Sequence, residues 1–218
     1  MSNNVNILSY RPIRSGKKYD SLLPKTNCVA TNLGEGDTFF TLQLMEKQAY
    51  RYQEQTERLA KVLEGKSLQQ TVANIYNFCH DHIQYNQDGW QQALRSPGCT
   101  WLSRSEGIDC KSYAIFVSTL LLNLKIHHYF RKIRMDVNSP EYGHVYVVIP
   151  TNQNTKNLKK YMVIDPTIHV NKEVNYLESK EKLMLAKMPH IGLNGANQKG
   201  LRSVDANIIT AINGLNEY

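Results

Sequence analysis

The sequence predicts an α+β domain in which N-terminal helices and a central cysteine-bearing helix pack on an antiparallel β-sheet. Three observations predict it. Apolar residues recur at helical spacing through the first part of the chain, the segment after Cys110 is apolar on most sides, and three strand-like runs follow it. Helices first and strands afterwards fit separate layers better than alternating βαβ units. With 218 residues, 41% hydrophobic and 21% charged, the chain is long enough for one domain with a substantial core and too apolar for wholesale disorder.

Residues 1–36 carry Pro12, Gly16, Pro24, Gly34 and Gly36 without a sustained period and read as an irregular arm. From Asp37, an N-cap type, Met45, Ala49, Tyr52, Thr56, Leu59 and Leu63 form one amphipathic stripe that stops at Gly65. Ser67 followed by Gln70 is a capping-box signature, and Leu68, Val72, Ile75 and Cys79 continue a second helix to about His82. The short Gly65 connection predicts that the two helices pack together. Residues 84–108 hold Asp88-Gly89, Ser96-Pro97-Gly98 and Gly107, so a loop is expected with one short helix near Gln91 to Leu94.

Ala114, Ile115, Val117, Ser118, Leu121 and Leu122 then predict a central helix over Cys110 to Leu124. The strand-like runs are His128 to Met135, His144 to Ile149 and Lys160 to Asp165. Residues 171–188 read as polar helix or loop and 189–202 as Gly- and Asn-rich. Val204, Ile208, Ile209 and Ile212 make a last amphipathic patch. Three parts are thus expected: an arm over 1–36, a domain over 37–188, and a linker with a short amphipathic segment over 189–218.

No window approaches the roughly 18 to 20 apolar residues of a membrane span, and the first residues lack a signal-peptide core, so a cytoplasmic or virion-associated location is expected. Cys28, Cys79, Cys99 and Cys110 form no CxxC pair and read as reduced thiols. The net charge is +7, with Arg11, Arg14, Lys17 and Lys18 clustered near the start; without a nucleic-acid module, this reads as a solvated basic surface. Cys79, His80, Asp81 and His82 are metal-type ligands, but helical spacing splits them between faces and no second pair stands at finger spacing, so no metal and no cofactor are expected. His127-His128 with Arg131, Lys132 and Arg134 reads as a basic strand edge.

Chemistry is suggested by the segment Gly107-Ile108-Asp109-Cys110-Lys111-Ser112, which sets a thiol in the first turn of an apolar helix. Unpaired N–H groups and the positive dipole end there favour a thiolate, whereas the charge of an N-cap Asp109 opposes it, so a histidine is required to hold the proton. If residues 144–149 and 160–165 pair symmetrically across a 150–159 loop, 149 faces 160, 147 faces 162, and His144 stands opposite Asp165. Opposed side chains lie about 4.5 to 5.5 Å apart at Cβ, within reach for a carboxylate to orient an imidazole.

Three segments carry a family resemblance: "RSPGCTWLSRSEGIDCKSYAIFVSTLLLNLKI" over 95–126, "YGHVYVVIP" over 142–150 and "YMVIDPT" over 161–167. They resemble the transglutaminase-like superfamily, papain-like Cys-His-Asp thiol enzymes, and are more similar to its stand-alone bacterial and phage members than to the large animal cross-linking enzymes. The resemblance spans roughly residues 67–170 and implies Cys110 as nucleophile, His144 as general base and acid, and Asp165 as the orienting carboxylate.

It implies attack on a peptide or protein amide through a thioester, released by water or an amine. The Cys110 backbone N–H is the first oxyanion donor expected, Trp101 is a candidate second through its indole N–H, and Trp90, Gln91 and Gln92 are candidates to line the cleft. The alternative is a catalytically inactive binding or assembly module, phage-associated, with residues 203–214 docking a protein partner or else covering the protein's own core.

Overall fold

The computed structural model describes residues 11–32, 38–89 and 92–186. The helices are α1 (Thr38–Arg51), α2 (Glu57–Leu63), α3 (Leu68–His82), α4 (Pro97–Leu102) and α5 (Cys110–Asn123). The strands are β1 (His128–Arg134), β2 (His144–Pro150), β3 (Tyr161–Ile164) and β4 (Glu178–Met184), in one antiparallel sheet ordered β3-β2-β1-β4. The architecture is α+β. Helix α5 is its axis: twelve of its residues, Lys111 to Leu122, are buried, which is why its pattern is apolar all round rather than striped. It packs on β2 on one side and on α1, α2 and α4 on others. Truncating one of its fully buried leucines would cost about 2–5 kcal/mol.

The single stripe expected from residue 37 to 63 is two helices. They are joined by a 3-10 turn at Gln53–Thr56, although the stripe residues Met45, Ala49, Thr56, Leu59 and Leu63 are all buried. The interruption is held by Asn123 at the end of α5. Its Nδ2 donates to the Gln53 carbonyl (2.8 Å), the Thr56 hydroxyl (2.9 Å) and the Thr119 carbonyl (3.0 Å), so polar groups freed by the break are paired. The expected cap Asp37 lies outside the described residues.

The Ser67 cap of α3 forms: its hydroxyl accepts from Gln70 N at 3.2 Å, while the Gln70 side chain reaches back to Lys66 N at 3.2 Å. Asn74 Nδ2 donates to the Leu63 carbonyl at 3.1 Å across the Gly65 connection, joining α2 to α3 as expected.

Four expectations are corrected. A short helix of the 84–108 loop is α4, with Ser96 as N-cap and Pro97 in the first turn, whereas residues 92–94 of the helix expected at Gln91 to Leu94 are not helical and Gln91 lies outside the described residues; the Ser-Pro pair is a helix start here. Residues 178–184, read as polar helix or loop, form β4. Its Glu and Lys residues have little intrinsic strand preference, but Glu181 stands directly opposite Arg131 and ion-pairs with it at 2.9 Å, and Glu178 opposite Arg134 at 3.5 Å. Strand β1 is therefore central, not a basic edge, and His128, Arg131 and Lys132 are buried in it.

Fourth, Arg11 is no surface charge. It is 4% exposed, donating from Nε to the His80 carbonyl (2.9 Å) and from Nη2 to the Ile83 carbonyl (2.9 Å) and the Tyr113 hydroxyl (3.1 Å). The lead-in over 11–32 is thereby fixed to the end of α3 and to α5. The amphipathic patch over 203–214 lies outside the described residues.

Candidate active site

Cys110 is the first residue of α5, and the chain reaches it along a parallel bridge between Tyr85 and Ile108. Ile108 N donates to the Gln84 carbonyl and Asn86 N to the Ile108 carbonyl, both at 3.0 Å. Gly107 makes this approach possible: its φ is +102° and an added Cβ would stand 2.5 Å from Asn86 Cβ. Asp109 caps the helix through Ser112 N at 3.1 Å. Its second oxygen is paired with the Lys111 ammonium, which also donates to Gln92 Oε1 at 2.6 Å and lies 3.6 Å from Asp88 Oδ2.

His144 opens β2 and is 3% exposed. Its Nε2 is bonded to Asp165 Oδ2 at 2.8 Å, and Cys110 is a neighbour that acts on the same ring. Asp165 follows β3 directly and is itself held at every polar atom of its head. Its Oδ1 accepts from Thr167 Oγ1 (2.7 Å) and Thr167 N (3.2 Å), and its backbone N donates to Asn171 Oδ1 (3.1 Å). Asn171 Nδ2 in turn donates to the Val163 carbonyl at 2.7 Å, closing a loop from 163 to 171.

The three polar residues meet, but not through the pairing expected. Ile149 faces Met162 and Val147 faces Ile164, two residues away from the symmetric register. Strand β2 runs on through Pro150, and Thr151 N still donates to the Lys160 carbonyl at 3.0 Å. An Asx turn at Asn152, accepting from Asn154 N and Thr155 N, closes the loop from its β2 side. Because facing repeats every two residues, a slip of two keeps Asp165 on the face of His144 and makes it a diagonal rather than a direct neighbour.

Burial works against a charged His144, but the Asp165 charge and hydrogen bond, with help from Cys110, outweigh it and push the ring up to about 10. The imidazolium beside the sulfur is therefore the favoured form at neutral pH. Burial also raises the Tyr85 phenol, and the neighbouring charges of Cys110, Asp165 and Asp88 add to it. The remaining thiols differ. Cys79 is fully buried and burial pushes its thiol far up, while Cys28 and Cys99 form a disulfide across 71 residues with 5.6 Å between Cα atoms. The expectation of four reduced thiols is thus corrected; two cysteines distant in sequence meet because the lead-in folds against α4. Cys110 is the free, partly exposed thiol among the described residues.

Trp101 does not offer its indole N–H to an oxyanion. That group donates to Asp20 Oδ1 at 2.9 Å, the ring stacks on Phe78 at 5.5 Å, and Arg104 lies over it at 4.3 Å. Trp90 and Gln91 lie outside the described residues; Gln92 is exposed and bonded to Lys111. In the Cys79–His82 segment, His82 Nδ1 lies against the Arg14 carbonyl (3.1 Å) and His80 Nδ1 against Asp81 (3.5 Å). Among the described residues no three His, Cys, Asp or Glu side chains converge as metal ligands. Sequence reading missed Thr167, Asn171, Lys111 and Tyr85. Adjacency to the cysteine and to the Asp-Pro turn was the available signal for the first three; Tyr85 had none beyond preceding the Asp-Gly loop.

A family model of the transglutaminase-like domain matches residues 54–190. A solved structure of a proposed cysteine protease from Cytophaga hutchinsonii is similar to 72% of this chain at 14% identity, with a TM-score of 0.34. The match spans 58% of that protein's own length, less than two thirds of it. No curated protein matches the chain. No helix among the described residues is long and apolar enough to cross a membrane.

Proposed function

The chain belongs to the transglutaminase-like domain family, and from that premise we propose that it is a thiol enzyme acting on peptide or protein amide bonds through a thioester on Cys110. One observation carries the reading. A buried histidine, pushed up to about 10 by Asp165, has as its neighbour a free, partly exposed thiol at the head of a buried helix. In this reading His144 is the group that takes the Cys110 proton, and the first turn of α5 offers the sulfur unpaired N–H groups and the positive end of the helix dipole.

Attack of the Cys110 thiolate on an amide carbonyl forms the C–S bond and an oxyanion, for which the Cys110 backbone N–H is the proposed first donor. His144 returns its proton to the departing amine as the C–N bond breaks. Water or a second amine, deprotonated by His144, then displaces the sulfur from the thioester. Asp165 holds the ring in the orientation both proton transfers need, as Thr167 and Asn171 hold Asp165.

The test begins without a substrate. Iodoacetamide alkylation of the native protein, followed by peptide mass spectrometry from pH 5 to 9, should show Cys110 reacting well below the ordinary thiol range near pH 8.5 and losing that advantage in His144→Ala. Peptide-amide release by the wild type, abolished in Cys110→Ala, completes the case. A Cys110 that behaves as a free thiol in both proteins would turn the reading to a binding module.

A further inference from the structure

The site contains an electrostatic contradiction. An aspartate caps the very helix turn that carries the nucleophile, and a buried carboxylate next to a thiolate raises the energy of the thiolate. Asp109 is 2% exposed, so solvent does little to screen it. Lys111 is the cation that meets this charge. It is 8% exposed, unusual for a lysine, and its ammonium is paired with Asp109 Oδ2 while donating to Gln92 Oε1 at 2.6 Å and lying 3.6 Å from Asp88 Oδ2.

The same lysine joins two structural pieces. Asp88 Oδ2 accepts from Ala93 N at 2.7 Å and Asp88 Oδ1 lies 3.8 Å from Arg95. Arg95 N donates to the Ser112 hydroxyl, which donates to the Ala93 carbonyl, both at 3.3 Å. Asp88, Gln92, Ala93 and Arg95 are thus tied to the first turn of α5 through Lys111 and Ser112. Burial lowers the Lys111 ammonium, and the Asp88 charge and hydrogen bond work to keep it protonated.

We infer that Lys111 is a positioning residue for the nucleophile: by neutralising Asp109 it lets an aspartate N-cap coexist with a thiolate at Cys110. The inference rests on the thiol-enzyme reading and adds a second requirement to it. His144 from β2 and Tyr85 from the bridged segment are the titratable neighbours of Cys110, and Asp109 and Lys111 flank it in the sequence as an ion pair; Asp165 acts through His144, and Asp88 and Arg95 act through Lys111. His144 supplies the proton acceptor. Lys111 removes the charge that would oppose its use.

The pH profile of Cys110 alkylation is measured in wild type, Lys111→Met, Asp109→Asn and the double variant, with circular dichroism and thermal melting alongside. Removing the cation should move the profile up by about one pH unit, making alkylation at pH 6 about tenfold slower. Asp109→Asn alone, which removes that carboxylate and leaves Lys111 with Asp88 as its counter-charge, should move it down. The double variant, which removes both charges, should return it to the wild-type position, an outcome that loss of a structural lysine would not give.

Lys111→Met leaves a buried carboxylate unpaired and can melt early. In that case Asp109→Asn and the double variant still decide by the direction of their shifts. Unchanged profiles in Asp109→Asn and in a folded Lys111→Met overturn the inference. A profile identical in wild type and His144→Ala instead overturns the thiol-enzyme reading, so the two failures are distinct.

Discussion

Two buried histidines stand at opposite ends of the same antiparallel strand pair, one opening β1 and the other opening β2. His128 and His144 are both shielded from solvent, yet they are driven to opposite charge states. His128 has neutral hydrogen-bond partners, Ser118 Oγ at 2.7 Å and the Ile126 carbonyl at 3.0 Å, and burial, with a smaller push from the adjacent His127, pulls it down to about 4. His144 suffers the same burial, but Asp165 reverses the result and carries it up to about 10. Burial without a carboxylate partner therefore makes a neutral structural residue. A single carboxylate, itself fixed by two neighbours, makes a proton holder.

The largest effect should come from breaking that difference. Asp165→Asn keeps the shape but removes the charge, so His144 should fall toward the state of His128, neutral at pH 7. Turnover of an amide substrate should drop by about 10³ to 10⁴-fold. Histidine ring titration by NMR checks the cause; a ring that stays protonated at neutral pH in this variant would sink the comparison.

Stability against pH separates the two residues next. His144 is raised from an ordinary 6.5 to about 10, so its contribution is full below 6.5 and is lost as pH rises through 10. His128 is lowered from 6.5 to about 4, so it has the opposite sign: stability is full above 6.5 and lost as pH falls through 4. That acid-side loss is of order 3 kcal/mol. Urea unfolding between pH 4 and 8 should show it in the wild type and show it flattened in His128→Gln.

A smaller change sharpens the same point. Thr167→Val removes the hydroxyl bonded to Asp165 Oδ1 while preserving volume, and should cost about 1 kcal/mol of stability and about tenfold in turnover. Thr167→Ser should recover most of the activity. Equal turnover in the valine and serine variants would show that the backbone N–H of Thr167 suffices to hold the carboxylate.

The sequence by itself determined a good deal. The helical stripe ending at Leu63, the Ser67 cap, the apolar helix begun by Cys110 and the three strand-like runs, the last two rich in Val, Ile and Tyr, are local patterns, dictated by side-chain period and capping chemistry that a short window contains. The order of Cys110, His144 and Asp165 was also legible, because each stands at an element boundary where a polar residue interrupts an apolar pattern. Its facing survived an error in register, since β side chains repeat every two residues.

What only the tertiary structure decided depends on partners far away in the chain. Strand β4 exists through its pairing with β1 rather than through the propensity of its Glu and Lys residues. The break between α1 and α2 is filled by Asn123, Arg11 is buried by carbonyls near residue 80, Trp101 gives its N–H to Asp20, and Cys28 finds Cys99. The charge states of His128 and His144 belong to the same class. Desolvation and Coulomb interactions depend on what folding brings within a few ångströms, and no local pattern contains that distance.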